Sequence, residues 1–133
     1  MLFRYIPAAL MAAIIPALSL LPAAFFRGVP RAARFAGADK IIHALMYAAF
    51  ALTLHYALAP DRRPTVRAAL VIAISASLYG LALEIAQSAL TTSRAMDPLD
   101  ALANAAGAFA TALLARAWAK HRAPNHQSPI ANR

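Results

Sequence analysis

Lys40, His43 and Tyr47 are spaced i, i+3 and i+7, which on a helix would align an ammonium, an imidazole and a phenol along one face. Asp97, Asp100 and Asn104 repeat that spacing, and Glu84 and Gln87 stand three residues apart. A carboxyl group held beside an imidazole can exchange protons with a bound molecule. Glu84 and His43 are therefore the candidate catalytic pair. Lys40 and Arg94 offer charge-assisted donors to a phosphate or carboxylate, with Gln87, Asn104 and Tyr47 as further candidate substrate contacts. Asp97 and Asp100 supply oxygen ligands of the kind that hold a divalent cation, although their spacing matches no recognised metal motif. The chain has no serine nucleophile with its base, no phosphate-cradling glycine loop and no zinc signature. Residue types thus point to a polar site without specifying a reaction, and no motif demands a cofactor.

Each of these residues also has an ordinary structural account. Asp97 followed by Pro98 reads as an N-cap with proline at the first helical position, and Asp100 suits the first turn through the helix macrodipole. Asp39 would cap its helix in the same way. Asn104 and Gln87 would serve as interhelical hydrogen-bonding groups, worth about 0.6 kcal/mol on average in a membrane. Tyr47 would pack, and Arg94 would be a loop charge or a phosphate anchor. Glu84 fits such an account least well. An ionised residue in a membrane span costs at least about 2.5 to 3.5 kcal/mol on insertion scales, so it should be paired or protonated, with Lys40, His43 and Arg94 as available partners.

The elements that must position these groups are four long apolar segments in 133 residues. Hydrophobic residues make up 62% of the chain and charged residues only 14%, whereas soluble domains carry about a quarter charged residues. A spanning helix needs about 20 mostly apolar residues, and residues 5–26, 41–59, 68–90 and 101–119 meet that length. The expected fold is all-α: a polytopic membrane protein built as one compact bundle of four transmembrane helices over residues 1–121. The remainder, 122–133, has no apolar periodicity and is expected to be a disordered basic tail. If the segments cross in alternating directions, the start of the second, the end of the third and the start of the fourth meet at one membrane face. Every candidate site residue lies at one of those ends.

The net charge of +8 does not mark a nucleic-acid binder, because the basic residues sit at segment ends and in loops and form no amphipathic face. Arg4, Arg62, Arg63, Arg67, Arg116, Lys120, Arg122 and Arg133 fall on the side of the N-terminus, and Arg27, Arg31, Arg34, Lys40 and Arg94 on the other. The positive-inside rule then puts both termini in the cytoplasm. The first apolar run is longer than the roughly 7 to 15 residues of a signal-peptide core, so it is expected to remain as a span. Its Pro7, Pro16 and Pro22 are tolerable if neighbours satisfy the carbonyls they free. Tyr5, His55, Tyr56 and Trp118 are expected at the cytoplasmic headgroup level. With no cysteine, disulfides and thiolate metal sites are excluded.

Ala103, Gly107, Thr111 and Ala115 recur every four residues in the fourth segment, the small-xxx-small pattern that lets membrane helices approach closely. Ala76 and Gly80 give a shorter version in the third. These two segments are expected to pack together and to bring Glu84 near Asn104.

The ordered pattern Asp39-Lys40-x-x-His43-x-x-x-Tyr47, then Glu84-x-x-Gln87, then Arg94-x-x-Asp97-x-x-Asp100-x-x-x-Asn104-x-x-Gly107 resembles the VanZ-like family of small bacterial membrane proteins, over residues 39 to 115. The position after the histidine, often phenylalanine in that family, is Ala44 here, and the loop between Gln87 and Arg94 is short. The resemblance implies a multi-pass protein of the bacterial cytoplasmic (inner) membrane with an envelope-related role. The name-giving member is associated with low-level resistance to the glycopeptide teicoplanin. Three function classes follow. A polar pocket would bind or act on an anionic, lipid-linked or envelope molecule; a fixed polar network would clamp the helices of a scaffold or assembly factor; or the ionisable groups would mark the path of a small transporter. Membrane lipids are the expected partners, and the oligomeric state stays open.

Overall fold

The computed structural model describes residues 2–20, 37–58, 65–90 and 96–121. A 3-10 turn, Leu2–Tyr5, leads into α1 (Ile6–Ser19), and α2 (Ala38–Leu58), α3 (Val66–Leu90) and α4 (Pro98–His121) follow. No strand occurs among these residues. All four helical stretches are long and apolar enough to cross a membrane, the first counted from Leu2 to Ser19. The fold is the expected all-α bundle. Helices begin somewhat earlier than hydrophobicity alone indicates, because polar residues form their first turns. Arg94, the 27–34 basic loop and the 122–133 tail lie outside the described residues.

Local chemistry explains the helix starts. Asp97 caps α4: its Oδ1 accepts the Leu99 N–H at 2.9 Å, and its carbonyl accepts from Asp100 and Ala101, with Pro98 at the first helical position as expected. Thr65 caps α3 by accepting the Ala68 N–H at 3.1 Å. In α2 the cap position belongs to Gly37, whose carbonyl accepts from Ile41 and whose φ of 87° lies in the left-handed region open to glycine. Asp39 is therefore a first-turn residue and not the cap, still favourably placed for the macrodipole.

Pro16 lies inside α1 and removes the N–H that Ala12 would otherwise receive. Its effect is compensated from α3, where the Tyr79 hydroxyl donates to the Ala12 carbonyl at 2.6 Å. This contact also docks α1 on the bundle.

Paired contacts run in step along α2 and α4, which are parallel, and in opposite order along α3, which is antiparallel to both; α4 packs most extensively on α2 and then on α3. Helices α3 and α4 pack together as expected, while Gly107 and Thr111 of the small-residue stripe meet α2. A Cβ on Gly107 would fall on the Ala44 carbonyl of α2, and Thr111 Oγ1 donates to the Ala48 carbonyl at 3.1 Å. On the other side of α4, a Cβ on Gly80 of α3 would stand 2.9 Å from both Asn104 and the Tyr47 ring. Glycine thus opens two separate approaches, one to each neighbour.

The core comprises Ile15, Tyr47, Phe50, Ala51, Ala69, Ile72, Ala73, Ala76, Ala108 and Ala112. Most of these are alanines, and leucines face outward, among them Leu45, Leu52, Leu78, Leu102, Leu113 and Leu114. Small and polar groups inside with leucine outside is the arrangement lipid favours, since packing and hydrogen bonds then drive association. Tyr5, Tyr56 and Trp118 are exposed, but His55 is not: it is 7% exposed, and neither ring nitrogen has a hydrogen-bond partner among the described residues. Its helical phase turns it toward the interior while Tyr56 faces out.

Candidate functional site

On α2, α3 and α4 the face that forms the apolar core continues, turn by turn, into polar residues at one end. Lys40 and His43 extend the Tyr47 face of α2, Glu84 extends the Ala76–Gly80 face of α3, and Asp100 and Asn104 extend the Ala108 face of α4. Helical phase therefore turns these side chains inward, and the up-and-down topology brings the three ends together. The convergence expected from the sequence is present.

Exposure falls along this end from rim to floor. Asp39 and Asp97 side chains are 57% and 40% exposed, Lys40, Asp100 and His43 are 26%, 16% and 14%, and Glu84 and Asn104 are 4% and 1%. The polar groups form a graded cluster, with the Tyr47 ring and Asn104 at its buried base.

Two groupings share Asp100. In the outer one the Lys40 ammonium donates to Asp39 Oδ2 at 2.7 Å, Asp97 Oδ2 at 2.6 Å and Asp100 Oδ1 at 2.7 Å. Three donors meet three carboxylates, and α2 is joined to α4. The ammonium beside Asp97, helped by the Leu99 N–H, holds that carboxyl below its ordinary range. In the inner grouping, His43 Nδ1 lies 3.0 Å from Asn104 Oδ1 and 3.8 Å from Glu84 Oε1, and its Nε2 lies 3.8 Å from Asp100 Oδ2. Glu84 Oε2 and Asn104 Nδ2 are buried and have no hydrogen-bond partner among the described residues.

This geometry changes several assignments made from residue types. Lys40, expected to bind an anionic substrate, has its donors committed to carboxylates. Asp97 serves as cap and Lys40 partner, and the grouping of His43, Glu84 and Asp100, whose donor atoms lie within 4.8 Å of one another, was not anticipated as a unit. Gln87 donates to the Ser19 carbonyl at 2.5 Å, tying α3 to the end of α1. Tyr47 is buried edge-on to Phe50, with ring centroids 6.4 Å apart, so its ring packs beneath the polar cluster. Asp39 is a member of the outer grouping that sequence reasoning had used only as a cap; its adjacency to Lys40 was the available signal. Ala44 lies where Gly107 of α4 comes close to the α2 backbone.

The chain matches no protein-family model, no curated protein and no solved structure.

Proposed function

We propose that this is a VanZ-like protein of the bacterial cytoplasmic membrane whose polar cluster binds or acts on the headgroup of an anionic, lipid-linked envelope molecule. The reactive centre in this reading is the His43–Glu84 pair. Glu84 carries it: a carboxyl 4% exposed, with one oxygen lacking a partner among the described residues and the other 3.8 Å from an imidazole. A group so costly to bury in a membrane is most simply retained for function. The excess of basic residues on the side of the termini supports a cytoplasmic location for both ends and an outward-facing polar cluster. Envelope molecules, including those that set glycopeptide susceptibility, are available at that face.

Glu84→Gln tests the reading, because glutamine keeps the shape and cannot carry charge or exchange a proton. In a deletion strain, the wild-type chain should restore a teicoplanin-susceptibility phenotype, and the variant should reach equal membrane abundance without restoring it. Restoration by the variant would remove Glu84 from the reactive centre.

A structural-network reading is favoured by one observation, the commitment of Lys40 to three carboxylates across α2 and α4. A scaffold would lose membrane abundance together with function in Glu84→Gln. Retained abundance with lost function separates the two.

A further inference from the structure

We propose that His43, Glu84 and Asp100 form a binding site for a divalent first-row cation of the Mn2+ class, held by one imidazole nitrogen and two carboxylate oxygens. The proposal deepens the headgroup reading and rests on it for the ion's purpose, though ion binding can be measured by itself.

One ligand atom from each residue lies within 4.8 Å of the others; the imidazole stands between the two carboxylates, with Nδ1 3.8 Å from Glu84 Oε1 and Nε2 3.8 Å from Asp100 Oδ2, and the ion would use one of these nitrogens. Ligands about 2.0 to 2.2 Å from a shared ion are separated by roughly 3 to 4.4 Å, so side-chain adjustments of a few tenths of an ångström bring the three atoms to the required spacing. Glu84 Oε2 supplies an independent indication: it is buried beside the cluster and has no partner among the described residues. A carboxylate oxygen in that position accepts a cation without breaking an existing hydrogen bond.

The alternative grouping, Asp39, Asp97 and Asp100, is already occupied by a cation, the Lys40 ammonium at 2.6 to 2.7 Å from all three. That leaves the inner grouping as the set not centred on an ammonium. Asn104 Oδ1 against His43 Nδ1 and Lys40 against Asp100 Oδ1 orient two of the ligands, the supporting arrangement common around metal ligands. Mixed imidazole and carboxylate donors suit Mn2+ or Zn2+ better than an all-oxygen ion.

The site also resolves a charge problem. Among the described residues of this end, four carboxyl groups face one ammonium and one imidazole, a poor receptor for an anion. A bound divalent ion offsets that surplus and presents a positive centre to a headgroup phosphate. With the ion bound, His43 and Glu84 serve as its ligands in place of proton exchange, and what is kept of the headgroup reading is binding at this end.

The test uses the full chain in nanodiscs of zwitterionic lipid, with Mn2+ alone as the probe and free Mn2+ followed by electron paramagnetic resonance. The wild type should bind one ion per chain. Glu84→Gln and Asp100→Asn should weaken binding by about tenfold or more, with helicity and monodispersity unchanged, while Asp39→Asn should bind as the wild type does. Wild-type binding no stronger than that of Glu84→Gln would overturn the site. An equal loss in Asp39→Asn would overturn the assignment by moving the ion to the outer grouping. Absence of binding alongside lost function in Glu84→Gln rejects the ion and leaves the headgroup reading standing. Binding by the wild type alongside normal function in Glu84→Gln keeps the ion site and rejects the headgroup reading.

Discussion

The hydroxyl of Tyr79 on α3 donates at 2.6 Å to the carbonyl of Ala12 on α1, the carbonyl deprived of its helical donor by Pro16. A proline one turn away thus converts a backbone acceptor into a docking point between helices. Removal of the hydroxyl by Tyr79→Phe leaves a polar group unsatisfied in lipid and should cost about 1 kcal/mol, within the range measured for membrane hydrogen bonds. In a Pro16→Ala background the helix supplies its own N–H, and the same substitution should cost much less. A double-mutant cycle on thermal denaturation in detergent checks this. Equal costs in both backgrounds would mean that Tyr79 contributes by packing alone.

Gly107 and Gly80 should differ in their tolerance of a methyl group. Gly107→Ala drives a Cβ into the Ala44 carbonyl, a backbone atom that moves only if α2 and α4 separate. Overpacking near the upper end of about 1 to 3 kcal/mol, less about 1 kcal/mol gained in helix propensity, predicts a net loss of about 2 kcal/mol. Gly80→Ala meets the Asn104 and Tyr47 side chains and should cost less. Thermal midpoints of the two variants give the order, and Gly107→Ala as stable as the wild type would contradict the close approach.

The carboxyl of Asp97 titrates below its ordinary value of 3.8, chiefly because Lys40 donates to it. A depressed folded-state pKa contributes stability above the unfolded-state value, and that contribution disappears as pH falls through the lower folded-state value. The thermal midpoint of the solubilised chain should therefore fall as pH drops below about 4. Asp97→Asn should reduce that slope while keeping a good N-cap, and Lys40→Met should reduce it by removing the donor. High salt should blunt the effect because Asp97 is partly exposed. An unchanged slope in Asp97→Asn would remove the ion pair from the acid response.

Met96, exposed and next to the Asp97 cap, lies at the polar-cluster end of the bundle. In this cysteine-free chain, Met96→Cys should react with a membrane-impermeant thiol reagent in intact cells, with spheroplasts used where an outer membrane intervenes. Reaction only after the inner membrane is permeabilised would reverse the orientation and direct the search for a ligand to the cytoplasm.

Hydrophobic run length alone determined the all-α, four-span architecture, because a bilayer requires about 20 apolar residues per helix and the chain has little else. Helical periodicity likewise determined that Lys40 and His43, Glu84, and Asp100 and Asn104 share inward faces at one end. The Asp97–Pro98 cap was legible because its chemistry is local. Contacts between helices were not. Small residues every fourth position mark a close approach without naming the partner, and only the packed bundle decided that Gly107 meets Ala44 on α2. Adjacency in space also decided that Lys40 is committed to three carboxylates while Glu84 retains an oxygen without a partner among the described residues, since charge pairing depends on distances of a few ångströms that spacing along separate helices does not fix. His55 and the pairing of Tyr79 with Ala12 were hidden for the same reason: rotation about each helix axis is set by its neighbours.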